Sequence, residues 1–598
     1  MRAHRPNFRP QPPTPQQLRP QLIIWRERIV FYVFISIFVV LGCRFFWLQV
    51  VQGREYEALA QLQYRSTSNE DVGNRGRIFD TNGNLLVGNR NVYQYYAQAN
   101  QVADPAALYD LVAPIILADP EASSSLRPRE RFLSEISQKA ETSNYIFLAN
   151  KVSQETKEAL DVLELPCISA AGNRCLKVET QLRRYYPEGT LAAHVIGFLS
   201  RDNQTGHYGI EGGLNKELAG KAAPILAEAD ATGVGMASSI ISEDLDGRDV
   251  YLSLDRDLQY LVENTLEAGV KRFGAERGEI IITEPSTGRI LALAAYPNYN
   301  PENYYDYDAS LYKNPSVYDY YEPGSTFKVL TMAAAIDSGV VAPNTVCTKC
   351  YGPRTIAGKT INNWNGVANG AITMTQALEK SDNIALVWVS DLLGAERFRA
   401  YLKKFGIGQS VDLEVEEQNE YNFPEVWGPV ETATRSFGQG VTVTSLQLVR
   451  AVGAIANGGK LKNLTLVDKA VDKATGEVFS TPADEGTAVI APESAKTMRE
   501  MMQTAAQHGE AQYIFKNSDL IAGKTGTAQI PQKGGYSDET IASFIGFAPY
   551  NDPKFLMLVK YERPKTSIYA AETAAVTWKE LAEKLFIRFD IKTEADTN

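Results

Sequence analysis

Histidine is scarce in this chain. The 598 residues contain four, His4, His194, His207 and His508, scattered along the sequence. None belongs to a His-x-x-His or Glu-x-x-His pair, so no metal and no other cofactor is expected. A Ser-His-Asp hydrolase built on G-x-S-x-G around Ser325 would need glycine at 323 and 327, where Pro323 and Phe327 stand. A phosphate-binding loop fails in the same way. Gly523-Lys524-Thr525 ends like one, but the required glycine five residues earlier is Ser518. Positive charge is short as well. Residues 1–28 hold six Arg and one Glu, which leaves 54 Lys+Arg against 70 Asp+Glu in the remainder, a net of −16. A body this acidic excludes a nucleic-acid binder. Cysteine occurs five times. Cys347-Thr348-Lys349-Cys350 is a C-x-x-C without a thioredoxin-like βαβ context, and a four-cysteine zinc site would need distant regions to converge. Outside a membrane, Cys167 with Cys175 and Cys347 with Cys350 are candidate disulfides.

One run, Ile29 to Val51, is apolar apart from Ser36, Arg44 and Gln49 and is long enough for a single membrane span. Arg44 near the outer end can snorkel, and Trp47 suits the interface. Ala58-Leu59-Ala60 has a signal-cleavage pattern, but Arg54, Glu55 and Glu57 separate it from the apolar core, so an uncleaved anchor is expected over 29–51. The arginines ahead of it place the N-terminus in the cytoplasm and residues 52–598 outside. Six prolines in the first 22 residues mark 1–28 as a disordered tail.

What the chain does have is three short strings in a fixed order: Ser325-Thr326-Phe327-Lys328, Ser381-Asp382-Asn383 and Lys524-Thr525-Gly526-Thr527. Tyr321-Glu322-Pro323-Gly324 is turn chemistry, and Ser325 to Ile336 reads as a helix with Gly339 as its stop. Ser325 then sits at a helix N-terminus, where free N–H groups and the dipole favour negative charge. Lys328 shares its face one turn on. A serine hydroxyl is a weak nucleophile until a base takes its proton, and a lysine neutralised by burial can be that base. Ser381 precedes the apolar run Ile384–Val389, which reads as a loop entering a buried helix; Ser381 and Asp382 also suit a helix cap. Lys524 lies in a strand whose Gly526 allows another backbone to come close.

S-x-x-K, S-x-N and K-T-G form the signature set of penicillin-binding proteins and serine β-lactamases. The whole chain resembles a class B penicillin-binding protein, a membrane-anchored D,D-transpeptidase of cell-wall synthesis. The resemblance implies an α+β transpeptidase domain, an antiparallel sheet flanked by helices, over 246–590. It also implies a mixed α/β non-catalytic pedestal with a helical head over 52–245, and a tail at 591–598. It assigns catalysis to Ser325, Lys328, Ser381, Asn383 and Lys524. Thr525 with Lys524 would hold the substrate carboxylate beside Gly526, and the N–H groups of Thr527 and Ser325 would form the oxyanion hole. The middle residue of the second string departs from the family's usual Ser, and Asp382 gives the S-D-N form of class A β-lactamases. Asn74–Leu86, Arg184-Tyr185-Tyr186-Pro187 and Gly206–Glu211 resemble the pedestal boxes, whose Arg75, Gly76, Asp80, Arg184 and Glu211 are expected to be structural. Asn82-Gly83 between apolar runs is a hairpin turn on physical grounds too.

The implied partners are peptidoglycan stem peptides, β-lactams, the cytoplasmic membrane, a polytopic glycosyltransferase polymerase and division proteins. Gly535-Tyr536-Ser537 ahead of Ile541–Pro549 is closer to the septal than to the elongation type. A β-lactamase shares the three strings, but the pedestal, anchor and length argue against it. A non-catalytic sensor need not retain all five catalytic residues.

Overall fold

The computed structural model describes residues 19–47, 71–139, 145–167, 175–201, 204–223, 227–229, 235–237, 245–417 and 423–592. The chain divides into two compact units, Met1–Val72 with Ala222–Ser242, and Gly73–Lys221 with Glu243–Asn598. The first holds helix α1 (Arg19–Phe46) and two short antiparallel strand pairs, Asp71–Val72 with Ala222–Ala223 and Ala227–Ala229 with Gly235–Ala237. The start of α1 corrects the tail expected over 1–28. Pro20 falls in the first turn, where a missing N–H costs nothing, and no further proline follows in the helix. Residues 1–18, 48–51 and 593–598 of the expected tail, anchor and C-terminal tail lie outside the described residues. Among the described residues no helix is long and apolar enough to cross a membrane.

The second unit carries β1 (Ile78–Phe79), β2 (Leu85–Gln98), α2 (Pro105–Ala118), α3 (Arg129–Gln138), β3 (Tyr145–Val152), α4 (Gln154–Asp161), β4 (Leu176–Tyr185) and β5 (Asp249–Leu252). There follow α5 (Arg256–Phe273), β6 (Arg277–Thr283), β7 (Ile290–Tyr296), α6 (Lys328–Asp337), α7 (Asn383–Leu393), β8 (Val467–Val471) and β9 (Val478–Ser480). Last come α8 (Pro492–His508), β10 (Ala522–Gln532), β11 (Gly535–Ala548), β12 (Phe555–Glu562) and α9 (Ala574–Arg588). The helical head expected within the pedestal is made of α2, α3 and α4, but it also contains β3, which joins β2 antiparallel.

One seven-stranded sheet runs in the order β9-β8-β5-β1-β2-β3, with β4 paired along β2. It crosses the boundary expected near 245, because β5 pairs with β1 in parallel and with β8 antiparallel. Gly76 makes the parallel approach feasible, since a Cβ there would lie 1.8 Å from the Arg248 carbonyl oxygen. Gly83 takes φ +84° in the β1–β2 turn. Asp80 accepts from the N–H groups of Asn82 and Asn84 at 2.9 and 2.7 Å and from the Arg256 N–H, at the start of α5, at 3.1 Å. Glu211 is fully buried between two arginines, with Arg75 Nε donating at 2.7 Å and Arg184 Nε at 2.6 Å. Arg184 also donates to the Gly76 carbonyl at 2.7 Å. Buried charge that is paired on both sides fixes one arrangement of these boxes, and no nucleophile accompanies it.

The second sheet is antiparallel in the order β7-β6-β12-β11-β10. One face buries Leu258, Val262 and Leu266 of α5 and Trp578, Leu581 and Leu585 of α9. The other face shares one hydrophobic core with α6, α7 and α8. β10, which carries the third string, is the sheet edge on that side.

Candidate active site

The three strings meet at the edge formed by β10. Gly324 to Phe327 form a turn of 3₁₀ helix that runs into α6, so Ser325 sits one turn before the α-helix proper rather than inside it. Gly324 takes φ +56°, and Gly438 at φ +82° lets the Phe437–Thr444 stretch pass behind it: a Cβ at Gly438 would lie 2.1 Å from the Gly324 carbonyl oxygen. The turn lies directly against β10. A Cβ at Gly526 would stand 2.7 Å from Thr326 Cγ2 and 3.0 Å from the Pro323 carbonyl oxygen, so only glycine fits there. Glu322 braces the same turn. It accepts from the Gly440 N–H at 2.9 Å and the Tyr536 hydroxyl at 3.0 Å, and burial raises its pKa.

Ser325 is partly exposed, while Lys328 is 0% exposed. Lys328 Nζ donates to the Ser381 carbonyl at 2.5 Å and to Ser381 Oγ at 3.2 Å. Ser381 adopts φ +50°, a conformation uncommon outside glycine, and this directs both of its oxygens at the lysine. Lys524 Nζ reaches the same Ser381 Oγ at 3.1 Å and also donates to Thr525 Oγ1 at 3.1 Å. One hydroxyl therefore joins two buried lysine amines. Burial, with the charge of Lys524 second, pushes Lys328 down to about 7. Burial lowers Lys524 too.

Asp382 explains its own departure. It caps α7 by accepting from the Ala385 N–H at 2.7 Å, and its other oxygen accepts from Asn363 Nδ2 at 2.8 Å and Asn369 Nδ2 at 2.7 Å. Asn363 in turn accepts from the Asn383 N–H at 2.8 Å. Asn383 is partly exposed, and its side-chain amide donates to the Asn362 carbonyl at 2.9 Å. Thr527 lies on β10 next to the turn, its hydroxyl accepting from the Ala570 N–H at 3.1 Å.

Sequence reasoning missed Glu322, Asn363, Asn369 and Glu510. Glu510 accepts from the Thr525 hydroxyl at 2.6 Å. No periodicity or motif marks any of these four; proximity to Pro-Gly before Ser325 was the one usable signal, and it concerns Glu322 alone. The cysteines stand apart from the strings. Cys167 and Cys175 Sγ lie 2.13 Å apart and Cys347 and Cys350 Sγ 1.87 Å apart, each pair a disulfide.

A serine at a helix start, two buried lysines, and a strand packed on the nucleophile's turn agree with what the comparisons find. Residues 278–583 match the penicillin binding protein transpeptidase domain. The chain belongs to the penicillin-binding protein transpeptidases. Residues 70–252 match the penicillin-binding protein dimerisation domain, which ends at the last residue of β5, the strand that pairs with β1 on one side and β8 on the other. The chain is similar to stage V sporulation protein D of Bacillus subtilis, 29% identical over 561 residues, 92% of this chain and 84% of that protein. It is 28% identical over 573 residues to peptidoglycan D,D-transpeptidase FtsI of Escherichia coli, covering 94% and 91%. Among solved structures, penicillin binding protein 2X of Streptococcus thermophilus shares the fold at a TM-score of 0.69 and 24% identity, covering 86% of this chain and 80% of that one.

Proposed function

We propose that this penicillin-binding protein cross-links peptidoglycan stem peptides as a D,D-transpeptidase through a serine acyl-enzyme. The observation that carries the reading is the placement of Ser381 Oγ between Lys328 Nζ and Lys524 Nζ in a buried site. Lys328, neutral near pH 7, takes the Ser325 proton. Ser325 Oγ attacks the penultimate D-Ala carbonyl of a stem peptide, and the N–H groups of Ser325 and Thr527 hold the oxyanion. Asn383 steadies the substrate amide, and Lys524 with Thr525 binds the terminal carboxylate. Ser381 and Lys524 relay the proton to the departing D-Ala, and the amine of a neighbouring stem takes the acyl group. A β-lactam enters by the same first step and stops there.

The apolar run over 29–51 supports a single-pass anchor in the cytoplasmic membrane, with the catalytic domain outside. Such an enzyme makes no glycan, so it needs a glycosyltransferase polymerase beside it, with division proteins as further partners. The names of FtsI and the sporulation protein favour a septal role over elongation. The site is tested by mass spectrometry of the protein labelled with a fluorescent penicillin: the adduct is expected on Ser325 and lost in Ser325→Ala, and an adduct on another residue overturns the assignment. The cellular role is tested by depletion in the host. Filaments that elongate without dividing fit it; rounded or swollen cells assign the chain to elongation.

A further inference from the structure

Two lysines that share one serine hydroxyl need something to decide which of them carries the charge. The geometry at the end of α8 supplies it. Gly509 follows the helix, and a Cβ there would lie 2.2 Å from the Ala505 carbonyl oxygen and 2.9 Å from the Glu379 carbonyl oxygen. The chain is therefore pressed against two helix ends, and the next residue, Glu510, is held over β10. Its Oε2 accepts from Thr525 Oγ1 at 2.6 Å, and Thr525 Oγ1 accepts in turn from Lys524 Nζ at 3.1 Å. The line Lys524, Thr525, Glu510 runs in one direction, with a donor at one end and a carboxylate at the other. Asp382, the other carboxylate whose charge reaches Lys328, already has both oxygens engaged by Ala385, Asn363 and Asn369. Because the Thr525 hydroxyl donates its hydrogen bond to Glu510, the ammonium of Lys524 is left as the donor toward a substrate carboxylate.

We propose that Glu510 is a positioning residue that acts through the Thr525 hydroxyl to keep Lys524 as the cation of the pair, so that Lys328 is the neutral member and the base. The charges that face the two amines are the amines themselves, Glu510 and Asp382; the His508–Glu379 pair, 3.9 Å apart, stands at the neighbouring turn with His508 exposed. Glu510 opposes the effect of burial on Lys524, and the charge of Lys524 in turn works to lower Lys328; the direct effect of Glu510 on Lys328 is to raise it and is smaller than that of Lys524. This inference rests on the acyl-enzyme reading above.

The experiment compares the detergent-solubilised full chain with its Glu510→Gln and Glu510→Ala forms. Glu510→Gln keeps an acceptor for Thr525 and removes the charge. A charge a few ångströms away shifts a pKa by about one unit or more, so the alkaline limb of the penicillin acylation rate is expected to move about one pH unit lower. The penicillin concentration for half-saturation at pH 8 is expected to rise about tenfold, one pKa unit of lost cation. Both substitutions should show the shift. A Glu510→Gln profile that superimposes on wild type overturns the proposal, as does a shift in Glu510→Ala alone, which makes Glu510 a packing residue. The proton is also read without acylation, by 13C NMR of labelled lysine Cε in a Ser325→Ala background with Lys524→Arg for assignment. A Lys524 resonance that titrates at the same pH with and without the Glu510 charge contradicts the proposal. Failure of the wild-type chain to be acylated at Ser325 strikes the acyl-enzyme reading instead, and the NMR titration still decides the role of Glu510.

Discussion

Two lysines in this protein, Lys328 and Lys560, are both 0% exposed, yet their pKa values are shifted in opposite directions. Lys560 lies on β12, directly across from Glu279 on β6. Its Nζ is 2.5 Å from Glu279 Oε1, 3.2 Å from Glu562 Oε1 and 4.3 Å from the centre of the Tyr321 ring. Burial works to lower its pKa, but the two carboxylates overcome that and raise it. Lys328 suffers the same desolvation and finds another ammonium where Lys560 finds a carboxylate, and so it falls to about 7. Burial alone therefore does not make a base. The sign of the neighbouring charge decides, and the two outcomes divide the labour: Lys560 supports the turn that begins at Tyr321, and Lys328 serves the serine at its end.

The contrast predicts different failures. Lys328→Arg, which keeps a cation that cannot accept a proton, is expected to lower the second-order rate of penicillin acylation by about 10²- to 10⁴-fold while the thermal midpoint changes little. An Arg form that acylates at near-normal rate would reduce Lys328 to an electrostatic partner. Lys560→Met leaves Glu279 buried without its cation, which costs about 3–5 kcal/mol in urea unfolding. The double form Lys560→Met with Glu279→Gln should recover most of it; if the single form is no less stable than wild type, Lys560 is not holding the carboxylate. Asp382→Ser keeps a capping hydroxyl but removes the acceptor for Asn363 and Asn369. The expected loss is about 1–2 kcal/mol, with acylation slowed by less than tenfold. A larger fall in acylation than in stability would show that Asp382 acts on Ser381 and Asn383 beyond holding their loop.

The sequence shows the chemistry better than its supports. Ser325, Lys328, Ser381 and Lys524 were legible because each lies in a string whose spacing follows from a helix turn or a strand. Asp249–Leu252 pairs with Ile78–Phe79 and Val467–Val471, and nothing local specifies a pairing across that distance. Tyr145–Val152 was lost because it is a strand between helices, in a stretch whose composition is otherwise helical. The Glu279–Lys560 pair joins two strands that are neighbours only in the folded sheet, so no spacing rule could find it. Glu510 is a single carboxylate in a loop, and its position depends on Gly509 fitting between two helix ends. Positive φ at Ser381 is likewise a product of the closed site, imposed on a residue that does not favour it.

The central claim is that Lys328 is neutral when it works. The most direct test is the rate at which Ser325 of the full chain is acylated by a fluorescent penicillin between pH 5 and 9. A lysine lowered to about 7 binds its proton below that pH and is then unable to accept another. The rate should therefore rise with pH through a midpoint near 7, with the adduct on Ser325 throughout. A rate that is flat from pH 5 to 9, or that begins to rise only near the ordinary lysine range, would contradict the account.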